Sequence, residues 1–177
     1  MRIDSYIQQM LNNSSEHELW EKATVEDIFL TEKELGLKLP ESYVQLVSEF
    51  SNGAYLYLVQ EVSAVGKGNR QIAPIQAVAG RQWSPVDREI PVWESGFISS
   101  SSLVPFSLDH NGNAWCFITG TLTGEEYPVG YLDCTGLRMY GIMESFAAWL
   151  GVLIKTRQEV IRTLYGDDVI CGEMGLG

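Results

Sequence analysis

The sequence predicts a single α+β domain with a mainly antiparallel central sheet, flanked by N-terminal helices and a long C-terminal helix. Two observations lead to this fold class. Apolar residues recur with helical spacing near both ends of the chain, and short apolar runs separated by turn residues lie between them. With 177 residues and a hydrophobic fraction of 45%, the chain can fill one core, so we assign residues 1–177 to one domain.

Three short helices are predicted between the N-terminus and Gly36. One helical face collects Ile3, Tyr6, Ile7, Met10 and Leu11. A capping box of Ser15 with Glu18 predicts a second helix, and a box of Thr31 with Glu34 predicts a third that ends at Gly36.

The stretch "LGLKLPESYVQLVSEFSNGAYLYLV" predicts a tight corner made of a helix and a strand. Pro40 suits a first helical turn, where its missing N–H is no loss. The helix should end at Asn52 and Gly53, with Gly53 in the left-handed conformation that only glycine adopts readily. The run "AYLYLV" that follows predicts a strand.

The later part of the chain predicts three strands and the last helix. The runs "SLVPFSL" and "AWCFIT" flank "DHNGN", which is typical of a hairpin with Gly112 in its turn. The run "YPVGYLD" predicts the third strand. One continuous helix is predicted from about Glu144 to Tyr165, closed by Gly166. Between Val65 and Ser102, prolines interrupt the pattern, and we expect an irregular elaboration there.

Charge and composition limit the classes of partner. With 12 basic and 23 acidic residues the net charge is −11, which argues against nucleic-acid binding and favours a basic partner, although it also serves solubility. No apolar run is long enough for a membrane span, and the N-terminus lacks the pattern of a secretory signal. Three cysteines without paired spacing favour a reducing compartment, so we expect a cytoplasmic protein.

The sequence offers no convincing catalytic or metal site. The turn "DHNGN" resembles half of a calcium loop, but Ala114 and Gly120 stand where glycine and glutamate should follow. Two histidines and three scattered cysteines give no zinc spacing, and Glu125 with Glu126 is most simply a solvated pair in a turn. We therefore expect no metal, no cofactor and no enzymatic activity.

Three stretches in order resemble the SUKH superfamily, which includes the Smi/Knr-type cell-wall-assembly regulators. They are "TEKELGLKLPESYVQLVSEFSNGAYL", "LVPFSLDHNGNAWCFI" and "MESFAAWLGVLI", and together they span about residues 24–154. The matching positions of the first stretch are Glu34, Leu35, Gly36, Leu39, Pro40, Tyr43, Phe50, Asn52 and Gly53. Of these, Gly36, Pro40, Asn52 and Gly53 make up the structural motif of the corner. Residues 65–102 match least.

The resemblance implies a binding protein. Bacterial members of the superfamily look mostly like immunity proteins that neutralise polymorphic toxins, often nucleases, by direct contact, and an acidic domain suits a basic toxin. A regulatory scaffold of the cell-wall-assembly type is the alternative, and an enzyme of unknown type is the third interpretation. We expect a monomer or a weak homodimer.

Two acidic surfaces are candidates for the partner contact. The preferred one combines carboxylates with aromatic side chains and contains Trp83, Asp87, Glu89, Trp93 and Glu94. Its carboxylates should be solvated, while its tryptophans either bind a partner or only cover a sheet edge. The second candidate is the N-terminal acidic region with Glu16, Glu18, Glu21, Glu26 and Asp27.

Overall fold

Helices at both ends of the chain enclose a series of antiparallel strands in the computed structural model, which describes residues 3–82, 87–93, 95–120 and 125–166. The predicted α+β fold is confirmed. The described helices are α1 (Ile3–Asn12), α2 (Val25–Leu35), α3 (Glu41–Gln45), α4 (Ile75–Gln82), α5 (Phe146–Thr156) and α6 (Val160–Tyr165). None of them is long and apolar enough to cross a bilayer.

Nine strands form three hydrogen-bonded groups within the described part of the chain. The first group is β1 (Glu18–Leu19), β2 (Ala54–Leu56) and β3 (Gln60–Val62). The second is the hairpin of β4 (Glu89–Pro91) and β5 (Phe97–Ser99). The third is the main sheet, with β6 (Leu103–Leu108), β7 (Ala114–Ile118), β8 (Val129–Asp133) and β9 (Arg138–Met143) in that order.

The main sheet is covered on both faces. Along β7, Trp115 and Phe117 point to the face that carries the helices, while Ala114, Cys116 and Ile118 point to the opposite face. On the helical face, the Phe106 ring stacks on Phe117 at 4.4 Å, and Phe146 and Trp149 of α5 close over them. This alternation explains why every residue of β7 is buried.

The β4–β5 hairpin covers the second face. It reaches β6 through a short 3₁₀ turn (Ser100–Ser102), and Val92 pairs with Met139 of β9. The hairpin therefore spans the face between the first and last strands of the main sheet, and Ile90, Val92 and Ile98 pack against its apolar residues. The segment that was expected to be irregular has this defined role, because the second face would otherwise expose its apolar side chains to water.

The predicted order of helix, glycine turn and strand at the corner is confirmed. Its residues also form hydrogen bonds to a segment that is distant in sequence. Gly36 ends α2 with φ 70°, and a π-helical turn (Leu46–Phe50) continues α3 toward Gly53, which has φ 79°. Pro40 was predicted in the first helical turn but lies one residue before α3, in an extended conformation. The Asn52 side chain accepts a hydrogen bond from Val65 N at 2.8 Å and donates one to Val65 O. Asn52 thus pairs with the backbone in the way that a neighbouring strand would.

Two predicted helix starts are wrong. Residues Ser15 and Glu18 begin no helix, because Glu18 and Leu19 form the edge strand β1. The capping box of α2 is formed by Thr24 and Asp27, whereas Thr31 lies buried inside the helix. The Thr31 hydroxyl accepts a hydrogen bond from Gly66 N at 2.7 Å, so this threonine has a tertiary partner that a local capping pattern cannot reveal.

Two predicted continuous elements are broken. The run "AYLYLV" is a hairpin in which Tyr57 and Leu58 have φ of 51° and 56°, so the chain reverses between β2 and β3. The predicted long C-terminal helix is two helices, because Arg157 has φ 55° and ends α5. In both places the apolar spacing continues through the break, since the residues on either side pack into the same core.

Candidate functional site

The β4–β5 hairpin carries two exposed aromatic side chains beside the start of β9. Trp93 is 47% exposed and Phe97 is 68% exposed. The Trp93 ring lies 5.5 Å from the Tyr140 ring, and the Arg138 guanidinium lies 5.4 Å from the Trp93 ring centroid. We call Glu89, Trp93, Phe97 and Arg138 the hairpin face.

Trp93 covers the sheet edge, which is one of the two roles that the sequence left open, and its ring stays partly accessible. Its backbone N–H donates to Met139 O at 2.9 Å, which covers part of the β9 edge. Its ring contacts Tyr140 and remains half accessible to solvent. The ring is therefore held in place by neighbours and still available to another molecule, which is the state expected of a preorganised contact residue.

Asp87 differs from the solvated carboxylate that was expected. It is exposed, but its Oδ1 accepts hydrogen bonds from the Ser99 hydroxyl, the Ser100 hydroxyl and Ser101 N. These bonds, led by that of Ser99, lower the pKa of Asp87 below its usual value. Asp87 shapes the turn after β5, so it stabilises the hairpin locally. Glu89 is exposed as expected, whereas Trp83 and Glu94 lie outside the described residues.

The N-terminal acidic region is divided between structural and surface carboxylates. Glu16 forms an ion pair with Arg157 at 2.8 Å, and Asp27 accepts hydrogen bonds from the backbone N–H and the hydroxyl of Thr24. The side chains of Glu18, Glu21 and Glu26 are exposed. The region therefore presents fewer solvated carboxylates than its sequence indicates.

A third acidic group consists of Glu41, Glu125 and Glu126, and the prediction of a solvated Glu125–Glu126 pair is wrong. Glu126 does not lie in a solvated pair, because its two oxygens accept hydrogen bonds from Ser42 N at 2.7 Å and the Ser42 hydroxyl at 2.8 Å. Glu125 lies against Glu41, and the hydrogen bond and repulsion between these carboxyls raise the pKa of Glu41. Ser42 and Glu126 are 84 residues apart, so no local pattern reveals this cluster.

Among the described residues, the Cys116, Cys134 and Asp109 side chains are buried, partly buried or hydrogen-bonded within the fold. Burial raises the pKa of the Cys116 thiol, and burial with nearby carboxylates raises that of Cys134 to about 11. Such thiols are poor nucleophiles at neutral pH. The Asp109 carboxylate accepts hydrogen bonds from Asn111 N, Asn113 N and the Tyr131 hydroxyl, so it organises its own turn. Within the described ranges, no three His, Cys, Asp or Glu residues come together as a metal site.

One comparison with known proteins bears on this arrangement. The chain matches no individual curated protein. Residues 22–151 match the model of the SMI1 / KNR4 family (SUKH-1), a range that contains the corner motif, the hairpin face and the main sheet. The match covers well over half of the chain and confirms the resemblance of the three sequence stretches. The chain therefore belongs to the SMI1 / KNR4 family (SUKH-1).

Proposed function

We propose that this chain is a non-catalytic protein-binding domain of the immunity type, which neutralises a basic protein toxin by covering the toxin's functional surface. Family membership supports a role in protein interaction, and the net charge of −11 favours a basic partner. The alternative within the same family is a regulatory scaffold in cell-wall assembly.

The observation that carries the proposal is the hairpin face. Tryptophan and arginine are among the residue types most enriched at positions that dominate binding energy, and here the Arg138 guanidinium lies over the half-exposed Trp93 ring. The buried Tyr140 ring supports Trp93 from below. Trp93 and Phe97 offer apolar area, while Glu89 adds negative charge beside it. A basic protein would gain both steering and desolvated contact at this face.

The test uses the toxin domain encoded beside the gene of this chain, if such a gene is present. We expect the purified chain to bind the toxin and to block its activity. Replacement of Phe97 by serine should weaken binding at least about tenfold, the scale of a lost interface anchor, without lowering the melting temperature, because Phe97 is largely exposed. Trp93→Ala should weaken binding at least as much.

The matched control is Phe29→Ser, which removes an exposed aromatic side chain from α2 instead of the hairpin. Its toxin affinity should equal that of the wild type. Equal losses in Phe29→Ser and Phe97→Ser would contradict the assignment of the face. A chain that binds no toxin but binds a component of cell-wall assembly would support the scaffold role instead.

A further inference from the structure

A cleft at another corner of the molecule has no role in the features described so far. It has a volume of about 630 Å³ and lies where the β2–β3 turn, the turn after β6 and the residues around α6 meet. Its lining includes Tyr55, Leu58, Val59, His110, Glu159 and Arg162. The cleft therefore combines an apolar rim with polar and charged side chains.

The backbone around this cleft is strained. Four non-glycine residues have positive φ in the described part of the chain, and three of them, Tyr57, Leu58 and Arg157, lie at this corner. Hairpin turns of this kind favour asparagine and glycine, which tolerate positive φ at little cost. Strained residues that persist in a fold point to a function of their side chains.

Tyr57 and Arg157 have structural partners that account for their side chains. The Tyr57 ring lies 4.5 Å from the His17 ring, and the Arg157 guanidinium lies 5.6 Å from the Tyr57 ring centroid. Arg157 also forms an ion pair with Glu16. Leu58 is different, because it is 53% exposed and lies at the rim of the cleft. The fold therefore holds an apolar side chain outward, beside the cleft, in a conformation unfavourable to leucine.

The interior of the cleft favours positive charge. Glu18 and Glu61 stand directly opposite Tyr55 on the two neighbouring strands, so the three side chains lie on the same face of the small sheet. Burial first, and then the carboxylates of Glu159, Glu61 and Glu18, raise the pKa of the Tyr55 phenol. Arg162 is held by Glu159 at 2.8 Å, so its charge is balanced within the lining itself. An added cation would meet the carboxylates of Glu18 and Glu61 and the face of the Tyr55 ring.

We propose that this cleft is a second contact site for the basic protein partner, in which a lysine or arginine side chain enters the cleft and apolar surface packs on Leu58. This rests on the proposed function. The cleft and the hairpin face lie on either side of α6, whose Tyr165 ring is 5.9 Å from Tyr140, while Arg162 lines the cleft.

The first experiment needs no toxin. The ¹⁵N-labelled chain is titrated with a short arginine-rich peptide and followed by NMR. We expect the backbone amides of Tyr55, Leu58, His110 and Arg162 to shift together, and the same peptide with citrulline in place of arginine to cause no shift. Shifts scattered over all acidic surfaces, or equal shifts with the citrulline peptide, would overturn the proposal.

Two matched variants isolate Leu58. Leu58→Asn removes the apolar side chain but suits a positive φ, so its melting temperature should equal or exceed that of the wild type. Its peptide affinity should fall at least about threefold, the scale of a partly buried apolar contact. Leu137→Asn is the control, because Leu137 is also exposed with φ 48° but lies in the β8–β9 turn. Equal affinities in both variants would contradict the role of Leu58.

A neutralisation assay with the toxin distinguishes the failure of this proposal from the failure of the proposed function. Peptide binding at the cleft without neutralisation of any toxin would leave the cleft as a cation site and remove the immunity role. Neutralisation that is equally strong in the wild type and in Leu58→Asn, together with no peptide shifts at the cleft, would retain the immunity role and remove the cleft.

Discussion

Asn52 and Gly53 at the corner occupy positions where the backbone conformation and the contacts favour these residue types. Gly53 has φ 79°, and a Cβ there would lie 3.0 Å from Asn69 Nδ2 and 3.1 Å from the Ala64 Cβ. Asn52 beside it is bonded to the backbone of Val65. Gly53 therefore provides the left-handed backbone of the corner, and Asn52 provides its hydrogen bonds to a distant segment.

Gly53→Ala should destabilise the fold more than the same change at another glycine of similar φ. Gly112 has φ 82°, but no other atom lies within 4 Å of the position that a Cβ would occupy, so Gly112→Ala should cost about 1–2 kcal/mol from backbone strain alone. At Gly53 the close contacts add to that strain, and we expect about 2–4 kcal/mol. Urea unfolding of both variants measures the difference, and equal costs would show that the corner relaxes freely.

Elements far apart in sequence meet at His17, which connects the N-terminal segment, the β2–β3 turn and the end of α5. Its Nδ1 accepts a hydrogen bond from Tyr57 N at 3.0 Å, and its ring packs on Phe50 and Tyr57. Glu16 and Arg157 are the charged groups beside it. Accepting this hydrogen bond requires the neutral imidazole.

This contact should make stability depend on pH. Burial lowers the pKa of His17 from 6.5, against a smaller opposing effect of Glu16, with Arg157 lowering it further. The unfolded chain therefore binds the proton more readily than the folded chain. The contribution of neutral His17 to the stability of the fold is fully present above pH 6.5. It is lost as the pH falls from 6.5 toward the lowered pKa of the folded state.

The measurement is the free energy of unfolding between about pH 7.5 and about pH 5.5, where this histidine titrates. The control is His17→Gln, since the glutamine carbonyl can accept the same hydrogen bond and does not titrate. The wild type should lose more stability than the variant over this range. Identical pH profiles would mean that the histidine contributes nothing to pH dependence.

The sequence predicts elements well where local chemistry decides, and less well where distant contacts do. The β6–β7 hairpin and the α3 corner carry their own turn residues, and both are confirmed. The turn at Tyr57 and Leu58 contains neither glycine nor asparagine, and the break at Arg157 interrupts a continuous helical pattern. Contacts with His17 and Glu16 accompany these conformations, and both partners are distant in sequence.

The candidate site shows the same limit. Trp93 and its acidic neighbours were named from the sequence as one of two candidate surfaces. Arg138 and Tyr140 were not, because only the pairing of β9 with Val92 brings them to Trp93. The bonding of Asp87 to three consecutive serines and the Glu16–Arg157 pair also follow only from the fold. Counting carboxylates along the sequence therefore overestimates the charge available to a partner.

At the scale of the whole molecule, a net charge of −11 should act mainly on the rate at which the chain associates with the proposed basic partner. Long-range attraction to a basic toxin is screened by salt, with a Debye length of about 10 Å at 0.1 M ionic strength. We expect the association rate to fall steeply as salt is added, while the dissociation rate changes little, because short-range contacts at the hairpin face control it.

Charge reversal at single positions tests where this attraction is directed. Glu89→Lys on the hairpin face and Glu26→Lys on α2 change the net charge equally, and both side chains are exposed, so neither should alter the melting temperature much. If the toxin docks at the hairpin face, Glu89→Lys should slow association several-fold more than Glu26→Lys at low salt, and the difference should shrink as salt is added. Stopped-flow kinetics at several ionic strengths measures both effects. Equal slowing by the two variants would show that only the total charge matters, and no slowing by either would mean that recognition depends on apolar contacts rather than on charge.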